Sequence, residues 1–330
     1  MSAVTIPRQD EDLAHALDRE PIVRHFLPPT GVGEALSAGF LRGTLKALLK
    51  PVLRKGIPLS VQRGVLHGLS LTMLPAGGVD IQQVKIGLVP AERIKPRGLK
   101  PMHAVLYLHG GAFCTGSPRS HRSLTTRFAR YAQAEVLVPD YRRIPEHVFP
   151  AQIEDCVAAY RSLLQDGWRP EQISIAGDSA GGTLTLQVCL AARLQGLPMP
   201  SSMVMMSPAV DMSLNSRSAR ERAHRDPLIN VSWGQQAIGW LEVPPGHPLA
   251  HPQEADLAGL PPMLVQVGED EVLFDDSEWL ARGAARQGGH AELEIYLKRW
   301  HVFPIHAGLL PSATAALRRQ IDFMRQHWQV

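Results

Sequence analysis

The chain has 330 residues, room for one large or two small domains, and its 45% hydrophobic and 20% charged content suits a globular protein with a sizeable buried core. Its formal net charge of +3 is small for this length and its basic residues are scattered, which gives no case for nucleic acid as a partner. Three cysteines, Cys114, Cys156 and Cys189, lie too far apart for a disulfide framework or a metal pair and read as reduced packing residues.

The N-terminal stretch MSAVTIPRQDEDLAHALDRE carries acids where a signal peptide needs an apolar core, and no apolar run reaches membrane-spanning length. The expectation is a cytoplasmic protein with no stable membrane insertion. Residues 1–60 show helical periodicity without strand signals, as in LSAGFLRGTLKALLKPVL. The basic piece KALLKPVLRK (46–55) could lie on a membrane surface, but Pro51 stops it early, which favours a helix packed over the main domain.

From about residue 80 the pattern changes. AVLYLH (104–109), EVLVPDY (135–141), ISIAG (173–177), MVMMS (203–207), MLVQVG (263–268) and LEIYL (293–297) read as buried strands. Segments with apolar residues at helical spacing alternate with them, so the predicted fold class is α/β, a mostly parallel central sheet flanked by helices. Residues 211 to about 248 break the rhythm and read as an insertion at the sheet's carboxyl edge.

Chemistry concentrates at the predicted strand ends, where open α/β sheets carry their sites. GDSAG (177–181) fits G-x-S-x-G between a strand and a helix, the context that motif requires. Ser179 would sit on a strained turn, and Gly177 and Gly181 would be needed because a Cβ at either place collides across it. A serine hydroxyl is a poor nucleophile and needs a base, a carboxylate to orient that base, and donors for the oxyanion. His301 in KRWHVF is the candidate base. The candidate acid lies in VGEDEVLFDDS, as Glu271 or Asp270. HGGAF (109–113) is the candidate oxyanion loop, with donors from Gly110, Gly111 and, after the serine, Ala180. His109 reads as an anchor for that loop. Glu146, Asp155 and Arg142 read as ion pairs shaping the loop under the serine turn, and Asp178 as a partner for loop backbone groups.

Four blocks, HGGAF, DYRRIPEHVFPA (140–151), GDSAGG (177–182) and the late HVF, span most of residues 80–330 in order. By them the chain resembles the hormone-sensitive-lipase-like esterases, the bacterial family IV branch of the α/β-hydrolases. The resemblance implies an α/β-hydrolase fold in residues 61–330, with residues 1–60 and the insertion at about 211–248 as a helical cap over the acyl pocket. It implies a serine carboxylesterase acting through an acyl-enzyme on short- to medium-chain esters, without cofactor or metal, and makes a homodimer plausible. A lactonase, an amidase, an acetyl-hydrolase or a non-catalytic ligand-binding member are the alternatives.

Two departures stand out. Ala112 occupies a position where the family often has a third glycine; its N–H is still offered. The family's D-x-L-x-D spacing is met by Glu271, Leu273 and Asp275, which favours Glu271 over Asp270 as the acid. Asp275 and Asp276 are expected to cap a helix beginning near Ser277. Phe113, Trp233 and Trp240 are the candidates for the wall of the acyl pocket. The overall polarity gives no sign of a lipid-docking face.

Overall fold

A strand covered on both faces must be apolar at every position, and that requirement places the centre of this molecule. The computed structural model describes residues 19–329. In chain order the elements begin with β1 (Ile22–Phe26), α1 (Val32–Thr44), which runs on as a π-helical turn Leu45–Leu49, and α2 (Leu59–Ser70). The hairpin β2 (Val79–Ile86) and β3 (Val89–Pro96) leads to β4 (Ala104–Leu108), α3 (Pro118–Ala132), β5 (Glu135–Pro139) and α4 (Ala151–Gln165). Then come β6 (Ile173–Asp178), α5 (Ala180–Leu194), β7 (Ser202–Met206), and two short helices, α6 (Arg217–Glu221) and α7 (Val231–Gly239). The chain closes with β8 (Met263–Gly268), α8 (Phe274–Arg286), β9 (Ala291–Tyr296) and α9 (Pro311–His327).

The nine strands form one sheet in the order β1-β9-β8-β7-β6-β4-β5-β3-β2. All neighbours are parallel except β2 with β3 and β3 with β5. The six predicted strands are β4 to β9, buried at every position. Strand alternation divides their side chains between two cores. In β4, Ala104, Leu106 and Leu108 enter the cluster shared with α4, α5 and α8, while Val105 and Tyr107 enter the one shared with α3 and α9. This covering of both faces by helices is the doubly wound arrangement.

Three strands lie outside the predicted set. β1 falls in the segment read as purely helical. It is a five-residue edge strand with Ile22 and Val23 exposed, so only its pairing with β9 marks it as a strand. The hairpin β2–β3 lies at the other edge, where half-exposed positions break the apolar run. α8 begins three residues before the expected start. Its Asp275 and Asp276 stand in the first turn and do not cap it: Asp276 Oδ1 accepts from the Val210 and Asp211 N–H groups at 2.8 Å, and Asp275 Oδ2 from the Ser218 N–H at 2.7 Å. They tie the segment after β7 to the body. The expectation for residues 1–18 lies outside the described residues; what is described of the N-terminal segment, α1 and α2, lies over the carboxyl ends of the strands, as the cavity described below shows.

Candidate active site

Ser179 joins β6 to α5 in a backbone conformation, φ 52° and ψ −122°, that a residue with a side chain rarely adopts. Two carbonyls crowd the turn. A Cβ on Gly177 would collide with the Gly181 carbonyl, and one on Gly181 with the Leu108 carbonyl, so both glycines of the motif are sterically required. The Ser179 N–H donates to the Met206 carbonyl at 2.8 Å, pinning the turn to the end of β7.

The loops after β8 and β9 bring an acid and a histidine together. His301 Nδ1 lies 3.0 Å from Glu271 Oε2, and both side chains are buried. An ionised carboxylate only accepts, so Nδ1–H donates and the Nε2 lone pair is left free. Glu271 also accepts from Ser207 Oγ at 2.8 Å and from the Gly268 N–H. Burial opposes the imidazolium, yet the Glu271 hydrogen bond and charge outweigh it and raise the His301 pKa above its ordinary value. Asp270 points elsewhere: its carboxylate is bound by Arg42 at 2.8 Å and by Arg225. Of the two candidate acids, Glu271 is the one whose carboxylate reaches the imidazole.

The HGGAF loop departs from expectation at one donor. Gly110 was a candidate oxyanion donor, but its N–H donates to Asp178 Oδ1 at 3.0 Å, and one N–H carries one proton. Among the described residues the Gly111 and Ala112 N–H groups have no protein acceptor, and both residues line the cavity. Ala180 opens α5, where an N–H has no intrahelical partner. Gly111 at φ 120° and Ala112 at φ 50° turn the loop, which closes on the Gly111 carbonyl through the Cys114 and Thr115 N–H groups.

Asp178 is the hub beneath this loop. Besides Gly110 it accepts from Tyr107 OH at 2.6 Å, and His121 Nε2 lies 3.4 Å away. Burial disfavours charge on both Asp178 and His121, but each stabilises the other's: the aspartate pKa is lowered and the histidine pKa raised. His121, on α3, was not found from the sequence, because no motif spacing links it to a loop it meets only in three dimensions. His109 acts as the anchor expected of it. Its ring stacks on Tyr141 at 4.2 Å between centroids, its Nδ1 is 2.9 Å from the Gly110 carbonyl, and burial drops its pKa to about 3. The expected ion pairs around the 140–155 segment also form. Arg142 clamps Asp155 at 2.8 Å, and Arg63 of α2 binds Glu146 at 2.6 Å while donating to the Cys114 carbonyl at 2.8 Å.

Ser179, His301, Gly111 and Ala180 open onto one cavity of about 210 Å³. Its walls are mostly apolar: Leu45, Leu49 and Leu66 from the N-terminal segment, Met212 and Trp233 from the insertion, and Phe113 from the oxyanion loop. Trp233 Nε1 donates to Gln62 Oε1 at 2.8 Å, so insertion and N-terminal segment are bonded to each other over the site. Phe113 and Trp233 therefore line the cavity as expected. Trp240 does not: it is half-buried beyond the C-terminal end of α7 and packs against the main core. His306 joins the lining; burial lowers its pKa to about 4 and keeps it neutral. The three cysteines are buried and unpaired, with Cys114 and Cys189 pushed up to about 12, which suits packing and not reactivity.

This arrangement has counterparts among known proteins. A sequence profile of the alpha/beta hydrolase fold matches residues 105–305. The chain is 39% identical over 254 residues to an acetyl-hydrolase of Streptomyces hygroscopicus, covering 76% of this chain and 83% of that one. It is 33% identical over 287 residues to an esterase of Acinetobacter venetianus, covering 86% and 94% respectively. A crystal structure of an esterase from the bacterial hormone-sensitive lipase family superposes with a TM-score of 0.83 at 35% identity, over 91% of this chain and all of that one (100%). The chain belongs to the hormone-sensitive-lipase branch of the α/β-hydrolase family and is a carboxylic ester hydrolase.

Proposed function

We propose that the protein is a serine carboxylesterase acting through an acyl-enzyme on short- to medium-chain esters. The observation that carries this reading is the Glu271–His301 hydrogen bond beside a serine held at positive φ on the same cavity. His301 Nε2 takes the proton of Ser179, whose Oγ attacks the ester carbonyl and forms the C–O bond. Charge that develops on the carbonyl oxygen is met by the N–H groups of Gly111, Ala112 and Ala180, in place of Gly110. Glu271 orients the imidazole and stabilises its cation. The imidazolium protonates the leaving alkoxide, and a water deprotonated by the same nitrogen then attacks the acyl-enzyme and frees the acid.

The cap is assigned to the N-terminal segment together with the insertion at about 211–248. What supports this is the shared cavity wall and the Trp233–Gln62 bond. It extends past residue 60, since Leu66 and Arg63 of α2 serve the site. A cavity of about 210 Å³ with apolar walls favours modest acyl chains. Hydrolysis of a p-nitrophenyl ester series by the purified protein tests the reading. Turnover highest at the short end and abolished in Ser179→Ala supports it; a wild type inert on every chain length overturns it.

A further inference from the structure

The segment that covers the site has an outer side that the esterase chemistry does not use. Residues 27–79 contain six basic residues and one acid, Glu34. That acid is buried and bound to Arg299 and Ser312, so the outer face of the segment carries no exposed carboxylate. Among the described residues, nine of the seventeen large apolar side chains left exposed also fall in 27–79, so apolar surface and positive charge coincide along this segment. On α1 the pattern is regular. Val32, Leu36 and Phe40, spaced four apart and so stacked along one helix face, are 75%, 69% and 74% exposed. Leu48 continues the apolar surface on the turn after α1, while Leu45 and Leu49 of the same turn point into the cavity. Arg42, Lys50 and Arg63 are engaged with protein acceptors, but Lys46, on the turn that continues α1, and Arg54 and Lys55, shortly after it, are exposed.

We propose that this face docks the protein on an anionic lipid surface, with Val32, Leu36 and Phe40 entering the headgroup boundary and Lys46, Arg54 and Lys55 meeting the lipid charge. Charge complementarity selects the occupant: a segment with an exposed apolar stripe, three exposed cations and no exposed acid of its own is what an interfacial element presents to anionic headgroups. A second protein surface would have to bury the three cations, whereas a lipid surface leaves them in the wet headgroup layer. The docked segment is also the wall of the cavity, so an ester dissolved in the lipid would be delivered next to its site. The chain's overall polarity gives no hint of this face, because the rest of the surface dilutes it.

The full-length protein is mixed with vesicles of phosphatidylglycerol or phosphatidylcholine and floated on a density gradient, at low and at high salt. The proposal predicts co-flotation with phosphatidylglycerol only, released by salt. Leu36→Glu with Phe40→Glu should abolish it, and Lys46→Glu with Arg54→Glu should weaken it by roughly fivefold or more per residue. Both variants should keep wild-type turnover of dissolved p-nitrophenyl acetate, which shows they are folded and separates failure of the docking proposal from failure of the esterase reading. A wild type that stays with the soluble fraction, or binds both lipids alike, overturns the proposal. So does a wild-type dimer in sedimentation that Leu36→Glu with Phe40→Glu splits, because the face would then be a self-interface.

Discussion

The Gly110 N–H donates to Asp178 Oδ1 over 3.0 Å, so the residue that opens the oxyanion loop is tied to the residue directly before the serine. Loop and serine turn are thereby set against each other by one carboxylate, which Tyr107 and His121 hold in place. Asp178→Ala should therefore lower kcat by roughly tenfold to a hundredfold with little change in KM, less than deleting an oxyanion donor itself. Asp178→Asn keeps an acceptor for Gly110 and should retain most of the rate. Equal loss in both variants would show that the charge matters and not the acceptor. Steady-state kinetics on one soluble ester reads the difference.

The two neighbouring acids give a sharper contrast. Glu271→Gln leaves the imidazole beside an amide and should cut kcat by about four orders of magnitude, the scale of a misoriented triad histidine. Asp270→Asn only loosens the contacts to Arg42 and Arg225. It should lower the melting temperature while holding kcat within about tenfold, since residues outside the machinery act mainly through stability.

The pH profile follows from the direction of the His301 shift. Only the neutral imidazole accepts the Ser179 proton, so kcat/KM falls as pH drops through the His301 pKa. Glu271 raises that pKa above its ordinary value, which moves the acid limb up from that of a free imidazole. In Glu271→Gln the hydrogen bond to a carboxylate and its charge are gone while burial remains, so the limb of the residual activity should move down. Profiles of the two proteins measured side by side check the sign.

The contact between α2 and α7 is testable without activity. Gln62→Leu leaves the buried Trp233 Nε1 without its acceptor and should cost about 1–3 kcal/mol, seen as a lower unfolding midpoint in denaturant. Changes in KM should accompany it, because Trp233 lines the cavity.

How much of this was legible in the sequence varied with burial. β4 to β9 were readable because strands sealed on both faces are apolar throughout, as in AVLYL; β1 and the β2–β3 hairpin were not, because an edge strand needs apolar residues on one side at most. Gly177 and Gly181 were readable because the turn leaves no room for a Cβ at either place, and Ser179 because they frame it in the G-x-S-x-G pattern. At Gly110 the residue type says that a backbone N–H is offered, but its engagement by Asp178 depends on how the two loops meet in three dimensions. His121 left no local signal, and Trp240 looked like Trp233 until the end of α7 turned it toward the core.

The central claim is that Ser179 carries the acyl group. It is tested most directly by treating the protein with a p-nitrophenyl phosphonate and locating the adduct by peptide mass spectrometry. The account predicts one phosphonyl group per chain, on the peptide holding Ser179, formed far more slowly in His301→Ala. An unlabelled Ser179 in a protein that still hydrolyses esters, or a stoichiometric adduct on another residue, would contradict it.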